Sequence, residues 1–332
     1  MEDQLTATLD RGWDLAHKGD APGASACAKR ALELDPQSPE VHNLMGFALA
    51  LEGEADDALE HYRQAITLDE TYFEAMLNAA EILLTPLGDW DGAIRQIDDA
   101  LDYAETREEV ADCILLKVDA LMARGDPEEA KRAMKMLPDG PFDAPTYLFL
   151  VGRAWYELGD MDKAAPLIEQ AVRSDPANAD AQYYLGLVRD EQGDGRAATE
   201  ALLRSRALDM GRSPPAWSPS SEAFAALVRA AIEKLDLVLA RHVREAEVYI
   251  VELPGAELVV DGVDPRAPLV LDTPPMIEEG TPARVRVFVY QRNLERMSGS
   301  LEALDHELTA ALEREVTAVF LDGQKPDKAQ LN

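Results

Sequence analysis

The chain has 332 residues, and its 63 acidic and 32 basic side chains give a formal net charge of −31. This charge argues against non-specific binding to nucleic acid or to anionic membranes, because both require a basic face. The sequence contains no long apolar run, no signal-peptide pattern and no C-x-x-C motif, so we expect a cytoplasmic protein without a membrane span.

Residues 5–210 contain a repeat with a period of 34. Each unit reads as a helix, a glycine turn and a second helix, with small residues where the paired helices would approach closely. A proline stop follows the second helix most clearly at Asp35-Pro36 and Asp175-Pro176. The glycines predicted to form the turns are Gly19, Gly53, Gly88, Gly125, Gly159 and Gly193.

This pattern resembles the tetratricopeptide repeat over about six units. The match is weaker at 73–106, which has an extra residue near 85–88, and at 107–138, where Val118 occupies a small-residue position. The resemblance implies a mainly α fold, a tetratricopeptide α-solenoid. In such arrays the first helix of each pair lines a concave groove, and the implied activity is binding of a protein or peptide.

The family register implies which side chains face this groove. Aromatic residues at helical spacing are more often core than ligand contacts, so each candidate also has a core interpretation. A carboxylate clamp would need several basic side chains, and only Arg153 among the candidates is basic. The candidates are Trp13, His17, Asn43, Phe47, Asn78, Glu81, Phe149, Arg153, Tyr156, Tyr183 and Asp190.

The negative charge is concentrated in the repeats. Residues 1–210 carry 43 acidic and 19 basic side chains, a net charge of −24. This imbalance favours a basic or amphipathic partner segment. We expect no cofactor, because the sequence has no glycine-rich phosphate loop.

A proline-rich segment at 211–220 interrupts the repeat pattern. Its three prolines, Pro214, Pro215 and Pro219, exclude a continuous helix. We therefore predict a repeat array at 1–210, a linker at 211–220 and a small α+β domain at 221–332.

The last part of the chain mixes two periodicities. Apolar spacing predicts helices at 224–235 and 301–320, and alternation predicts strands between them. The predicted strands lie at 247–253, 258–260, 269–271 and 284–290.

This order of elements resembles the minimal zincin-like metallopeptidases over about 221–322. The resemblance rests on the Phe-x-x-Leu-Val-x-x-Ala helix at 224–231 and on the stretch 289–297. In that family this strand and a loop after it lead into an acidic helix, and that helix carries the zinc motif H-E-x-x-H. Here the motif falls on Arg314-Glu315-Val316-Thr317-Ala318, so the general-base glutamate is kept and both zinc ligands are replaced.

Neither replacement can bind zinc, because a guanidinium is always protonated and a methyl group has no lone pair. His306 lies two turns upstream on the same helix, and no spacing pairs it with His242. We expect Glu315 to be vestigial and the domain to hold no metal.

The sequence therefore predicts a non-catalytic adaptor whose repeats bind a partner segment and whose C-terminal domain is a pseudo-metallopeptidase. Two alternatives stay open. One is a zinc metallopeptidase with atypical ligands and a repeat-recruited substrate. The other is a C-terminal module that only caps the last repeat.

Overall fold

The computed structural model describes residues 2–138, 140, 142, 144–215, 217–273 and 284–321. The predicted C-terminal domain includes 274–283 and 322–332, which lie outside the described residues. Within the described ranges, twelve α-helices in the first two thirds of the chain follow one another as six pairs. This arrangement confirms the predicted helical repeat.

The pairs are built from first helices and second helices in strict alternation. The first helices are α1 (Glu2–His17), α3 (Pro39–Glu52), α5 (Phe73–Leu84), α7 (Arg107–Arg124), α9 (Thr146–Glu157) and α11 (Ala179–Glu191). The second helices are α2 (Ala21–Leu34), α4 (Ala55–Leu68), α6 (Trp90–Leu101), α8 (Pro127–Ala133), α10 (Met161–Ser174) and α12 (Gly195–Gly211). A short 3-10 helix, Met134–Met136, follows α8.

The turns within the pairs follow the predicted chemistry. All six predicted turn glycines have left-handed backbone conformations, with φ between 66° and 90°. Glycine adopts this conformation without the steric cost that a Cβ would add. The predicted proline stops are also confirmed, since α2 ends at Leu34 and α10 ends at Ser174.

Small residues allow neighbouring helices to pack closely, both within a pair and between successive pairs. A Cβ on Gly46 would lie 2.7 Å from Cε1 of Tyr62, and one on Gly12 would lie 2.5 Å from Cδ2 of Leu44. Ala58 is fully buried in the same repeat. Small residues recur at these positions because a larger side chain would force the helices apart.

The C-terminal part combines helices with a small sheet. Its elements are α13 (Ser221–Lys234), α14 (Leu237–Val243), β1 (Glu247–Val251), α15 (Ala256–Val260), β2 (Leu269–Asp272), β3 (Arg286–Tyr290), α16 (Gln291–Ser298) and α17 (Leu301–Phe320). Among the described strands the order is β1-β3-β2, with β1 parallel and β2 antiparallel to β3. One face of α17 is buried in the core of this part, together with residues of α13 and the sheet.

Two local predictions here were wrong. The apolar run at 258–260 lies in helix α15 rather than in a strand, because a run this short fits either element and Pro254-Gly255 starts a helical turn. The stretch after β3 forms α16, where the family pattern implied a loop.

The chain divides into two compact units, Met1–Ala171 and Val172–Asn332, and the division falls in the last turn of α10. By this division the last helix pair belongs to the same unit as the C-terminal part, and the domain boundary at 211–220 stays a prediction. Part of 212–220 is packed: Trp217 lies against the core of this second unit. No helix in the described ranges combines the length and apolarity needed to cross a membrane.

Candidate interaction groove

The predicted groove residues of the first two repeats form an aromatic cluster. Trp13 stacks on His17 at a ring-centroid distance of 5.9 Å and meets the edge of Phe47 at 5.5 Å. His17 is exposed, and Trp13 and Phe47 are half-buried. The structure thus brings three candidates from α1 and α3 together, with one ring open to solvent.

The two asparagine candidates make a structural link. Asn43 is 2% exposed, and its amide donates to the Tyr72 hydroxyl at 3.2 Å. The Asn78 amide donates to the Asn43 side-chain oxygen at 2.9 Å. Because these bonds join α3 to α5 and the loop before it, Asn43 positions the repeats rather than a ligand.

A groove runs across the inner faces of α5, α7 and α9. Its cavity of about 410 Å³ has leucine side chains as a floor and carboxylates along its rim. We call it the acidic groove. It is lined by Glu74, Leu77, Asn78, Glu81, Asp112, Leu115, Leu116, Asp119, Leu150 and Arg153.

Three carboxyl groups of the acidic groove, those of the exposed Glu81 and of the half-buried Asp112 and Asp119, have raised pKa values. Desolvation by the surrounding protein, together with the nearby charge of Asp112, raises the pKa of Glu81. Desolvation also raises the pKa of Asp112, although the Tyr147 hydroxyl donates to it at 2.7 Å. Among the described residues, no lysine or arginine lies within ion-pair distance of Glu81 or Asp112. Like charges therefore face each other without a basic partner at this point.

The basic candidate of the groove is already engaged. The Arg153 guanidinium pairs with Asp119 at 3.0 Å and lies 3.7 Å from Glu157. Desolvation raises the pKa of Asp119, and the charge of Arg153 opposes this rise. Of the other two candidates on α9, Phe149 is buried in the core and Tyr156 is half-buried.

In the last repeat, the chain itself covers the predicted groove face. The Tyr183 hydroxyl donates to Asp264 at 2.9 Å, and the Arg266 guanidinium lies over the Tyr183 ring at 4.5 Å from its centroid. Arg266 also pairs with Asp180 at 2.6 Å. Asp190, in contrast, is exposed. Tyr183 is therefore a contact to the C-terminal part of the same unit.

A buried carboxylate anchors this contact. Asp209, in α12, is 8% exposed and accepts from Arg266 and from Arg296, each at 3.1 Å. A second buried carboxylate, Glu295, accepts from the Ser218 hydroxyl at 2.6 Å. Sequence reasoning missed this network, because its members are far apart in the chain.

The two positions at which the resemblance placed the zinc ligands lie on a face of α17 that turns away from the core. Arg314 and Ala318 are exposed and Glu315 is half-buried, whereas Leu312 and Val316 are fully buried. No group of three His, Cys, Asp or Glu side chains within the described ranges is placed to hold a metal ion. The residues at the motif do not fit zinc, because they offer one carboxylate and no imidazole.

Sequence reasoning found Glu81 but missed three other carboxylates of the acidic groove, Glu74, Asp112 and Asp119. The period contained a signal for two of them, because Asp112 lies 34 residues after the candidate Asn78 and Asp119 lies 34 residues before the candidate Arg153. Projecting groove positions onto α7, the repeat with the weaker match, would have identified them.

Comparison with known proteins supports the repeat architecture. A family model described as tetratricopeptide repeat matches residues 9–73, 115–178 and 149–213. A probable biofilm formation methyltransferase of Pseudomonas putida, WspC, is 37% identical over 81 residues, which are 24% of this chain and 19% of that protein. The chain thus spans about a fifth of the length of this curated relative.

Two solved structures resemble the chain in fold. One is pilF of Pseudomonas aeruginosa, with 18% identity, a TM-score of 0.53 and coverage of 64% of this chain and 94% of that one. The other is PilW, a type IV pilus biogenesis factor, with 18% identity, a TM-score of 0.52 and coverage of 67% and 98%. At this identity the likeness concerns the fold alone. The family-model matches end at residue 213, so the zincin-like identity of 221–332 stays a prediction.

Proposed function

This chain is a tetratricopeptide repeat protein, and we propose that it is a non-catalytic adaptor whose acidic groove binds a basic, amphipathic segment of a partner protein. Tetratricopeptide repeat proteins mediate protein–protein interactions and scaffolding. The observation that carries the proposal is the pairing of a leucine floor with a carboxylate rim over α5, α7 and α9.

The leucines and the carboxylates of the groove would contact different faces of an amphipathic segment. Leu77, Leu116 and Leu150, which are partly exposed, offer apolar surface to the partner's apolar side chains. Glu81 and Asp112 lack a basic partner within the described chain, so a lysine or arginine from outside would relieve their repulsion. A helix or strand with basic and apolar faces matches both requirements.

The C-terminal part then acts as a structural module that ends the array. The contacts of Arg266 and Arg296 with Asp209 support this role, because they attach the module to α12 through a buried carboxylate. The exposed face that carries Arg314 and Ala318 favours a metal-free module over a metallopeptidase with atypical ligands.

Peptide binding by the purified full chain tests the adaptor role. The probe is a fluorescein-labelled peptide of leucines and basic residues, compared with a counterpart in which glutamate replaces each basic residue. We expect saturable binding of the basic peptide only, and weakening as salt is raised, because exposed charge pairs are screened.

A matched pair of double variants locates the binding surface. Glu81→Gln with Asp112→Asn removes two carboxylates from the acidic groove, whereas Glu70→Gln with Asp99→Asn removes two exposed carboxylates outside its lining. The first variant should lose binding and the second should keep it. Equal affinity of both variants, or equal binding of the acidic peptide, would overturn the proposed site.

Metal analysis tests the role of the C-terminal module. Protein purified without added metal should contain far less than one zinc per chain by mass spectrometry. Stoichiometric zinc that is retained after dialysis would support the metallopeptidase instead.

A further inference from the structure

The last repeat holds an arginine on the inner face of its first helix. Arg266 is nearly buried, with 11% of its side chain exposed, and pairs with Asp180 at 2.6 Å and Asp209 at 3.1 Å. Its guanidinium also lies over the ring of Tyr183. The arginine comes from the turn before β2 and not from the repeats, so it occupies this face as a bound side chain would.

The repeat register relates this site to the acidic groove. Asp180 and Tyr183 lie two periods of 34 residues after Asp112 and Leu115, and both of these earlier residues line the acidic groove. The first helix α7 therefore presents a carboxylate and a large apolar side chain at the positions where α11 contacts Arg266.

The sites at Asp180 and Asp112 differ in whether a basic side chain of this chain compensates the carboxylate. At Asp180, Arg266 supplies the positive charge. At Asp112, the hydrogen-bond partner is the neutral Tyr147 hydroxyl. No basic side chain among the described residues therefore compensates the negative charge of Asp112. Glu81 adds a second negative charge, and its pKa is raised by desolvation and by the nearby charge of Asp112.

We propose that the acidic groove selects an arginine side chain of its partner, with the guanidinium on Asp112 and Glu81 and the methylene stem on Leu115, as Arg266 is held at Asp180. This proposal rests on the proposed adaptor function and names the residue type that the groove recognises. It assigns the roles of Asp180 and Tyr183, two of the residues that contact Arg266, to their repeat equivalents Asp112 and Leu115 in the acidic groove.

Arginine fits such a site better than lysine for two physical reasons. Its planar guanidinium donates to two carboxylates at once, and it is less strongly hydrated than an ammonium, so entering a partly desolvated groove costs less. A lysine ammonium is a compact, strongly hydrated charge that would lose more water at the same place.

Three peptides that differ only in one side-chain type test the selectivity. The arginine peptide carries leucines and arginines, and its counterparts replace every arginine by lysine or by uncharged citrulline. Titration of the full chain by fluorescence anisotropy should give an affinity for the lysine peptide about tenfold below that for the arginine peptide, the cost of about one strong charge-assisted hydrogen bond. The citrulline peptide should not bind.

Single variants then place the arginine. Asp112→Asn keeps an oxygen that can accept from Tyr147, and it should abolish the difference between arginine and lysine peptides, as should Glu81→Gln. Asp99→Asn, on the exposed side of α6, should leave the difference unchanged. Circular dichroism of each variant verifies that the helices are intact, and Glu81→Gln suffices for the test if Asp112→Asn is misfolded.

The outcomes separate this proposal from the adaptor function. Equal binding of arginine and lysine peptides would overturn arginine selectivity and leave the adaptor function standing. Selectivity that survives both Asp112→Asn and Glu81→Gln would overturn the assigned site. Failure of the lysine and arginine peptides alike would overturn both proposals.

Discussion

His42 and His61 face each other across the second repeat, with their Nδ1 atoms 3.0 Å apart. The Nε2 atom of His42 lies 3.1 Å from the Pro36 carbonyl oxygen, which can only accept a hydrogen bond. His42 is therefore protonated on Nε2, and its Nδ1 accepts from the Nδ1 of His61 when both rings are neutral. A proton added to Nε2 of His61 would leave this bond intact, whereas two charged rings would carry a proton on each of the facing Nδ1 atoms and break it.

This pair predicts a loss of stability on mild acidification. Burial lowers the pKa of His61 below its usual 6.5, and the neighbouring His42 lowers it further, although Asp57 and Glu60 oppose the shift. As the pH falls below about 6.5, the unfolded chain binds the proton first, so the folded state loses stability. Urea unfolding between neutral and mildly acidic pH should show this loss in the wild-type chain and a smaller loss in His61→Gln.

The matched control for this prediction is His306→Gln, since His306 is exposed on α17. It should keep the pH dependence of the wild-type chain. A pH dependence in His61→Gln as steep as in the wild-type chain would show that the pair does not sense protons.

The close packing of the helix pairs predicts which glycines are irreplaceable. A Cβ at Gly46 would clash with the Tyr62 ring at 2.7 Å, so Gly46→Ala should lower the free energy of unfolding by about 1–3 kcal/mol. Gly195, in the first turn of α12, has no neighbour within 4 Å of such a Cβ. Gly195→Ala should be neutral or stabilising by up to about 1 kcal/mol in the same urea titration. A larger destabilisation from Gly195→Ala than from Gly46→Ala would contradict this packing argument.

The buried carboxylate of Asp209 predicts a large effect of a single side chain. Asp209→Ala leaves Arg266 and Arg296 without their shared partner, and it should lower the free energy of unfolding by roughly 3 kcal/mol. The control is Glu200→Ala, which breaks an exposed pair with Arg196 and should cost less than about 1 kcal/mol. Thermal unfolding followed by circular dichroism compares the two, and equal shifts would indicate that Asp209 does not anchor the module.

The acidic groove predicts a gain of stability at the expense of binding. The raised pKa of Glu81 means that its ionised form is disfavoured in the folded chain, so Glu81→Gln should stabilise the protein at neutral pH. The gain should shrink as the pH falls through the raised pKa of Glu81, and it should be absent below the usual glutamate pKa of 4.5, where the wild-type carboxyl is protonated in the folded and the unfolded chain alike. A melting temperature of Glu81→Gln that is lower than wild type at neutral pH, with binding unchanged, would argue that Glu81 is a structural residue.

The repeat architecture was predictable because it depends on local signals. The turn glycines and the proline stops act within one or two turns of helix, so their positions alone specify where each pair begins and ends. The short run at 258–260 was not predictable in this way, since three apolar residues are compatible with both periods.

The candidate site was predictable only in part, for the same physical reason. Family register placed Glu81 and Arg153 in the groove, but it could not show that Arg153 is engaged by Asp119 or that Asp112 lies beside Glu81. These relationships join side chains of different repeats, and their distances depend on how neighbouring helices pack.

The sequence by itself determined the period, the helix pairs and the concentration of negative charge in the array, because each is written in residue types at fixed spacing. Only the tertiary structure decided which parts of the array are open and which are covered. Arg266 and Asp209 are 57 residues apart, and no local pattern predicts that this arginine covers Tyr183. Nor does a local pattern predict that Asp180 is paired with this arginine while Asp112, its equivalent two repeats earlier, has no basic partner among the described residues. Burial and charge pairing between distant residues are properties of the packed chain, and the binding surface follows from them.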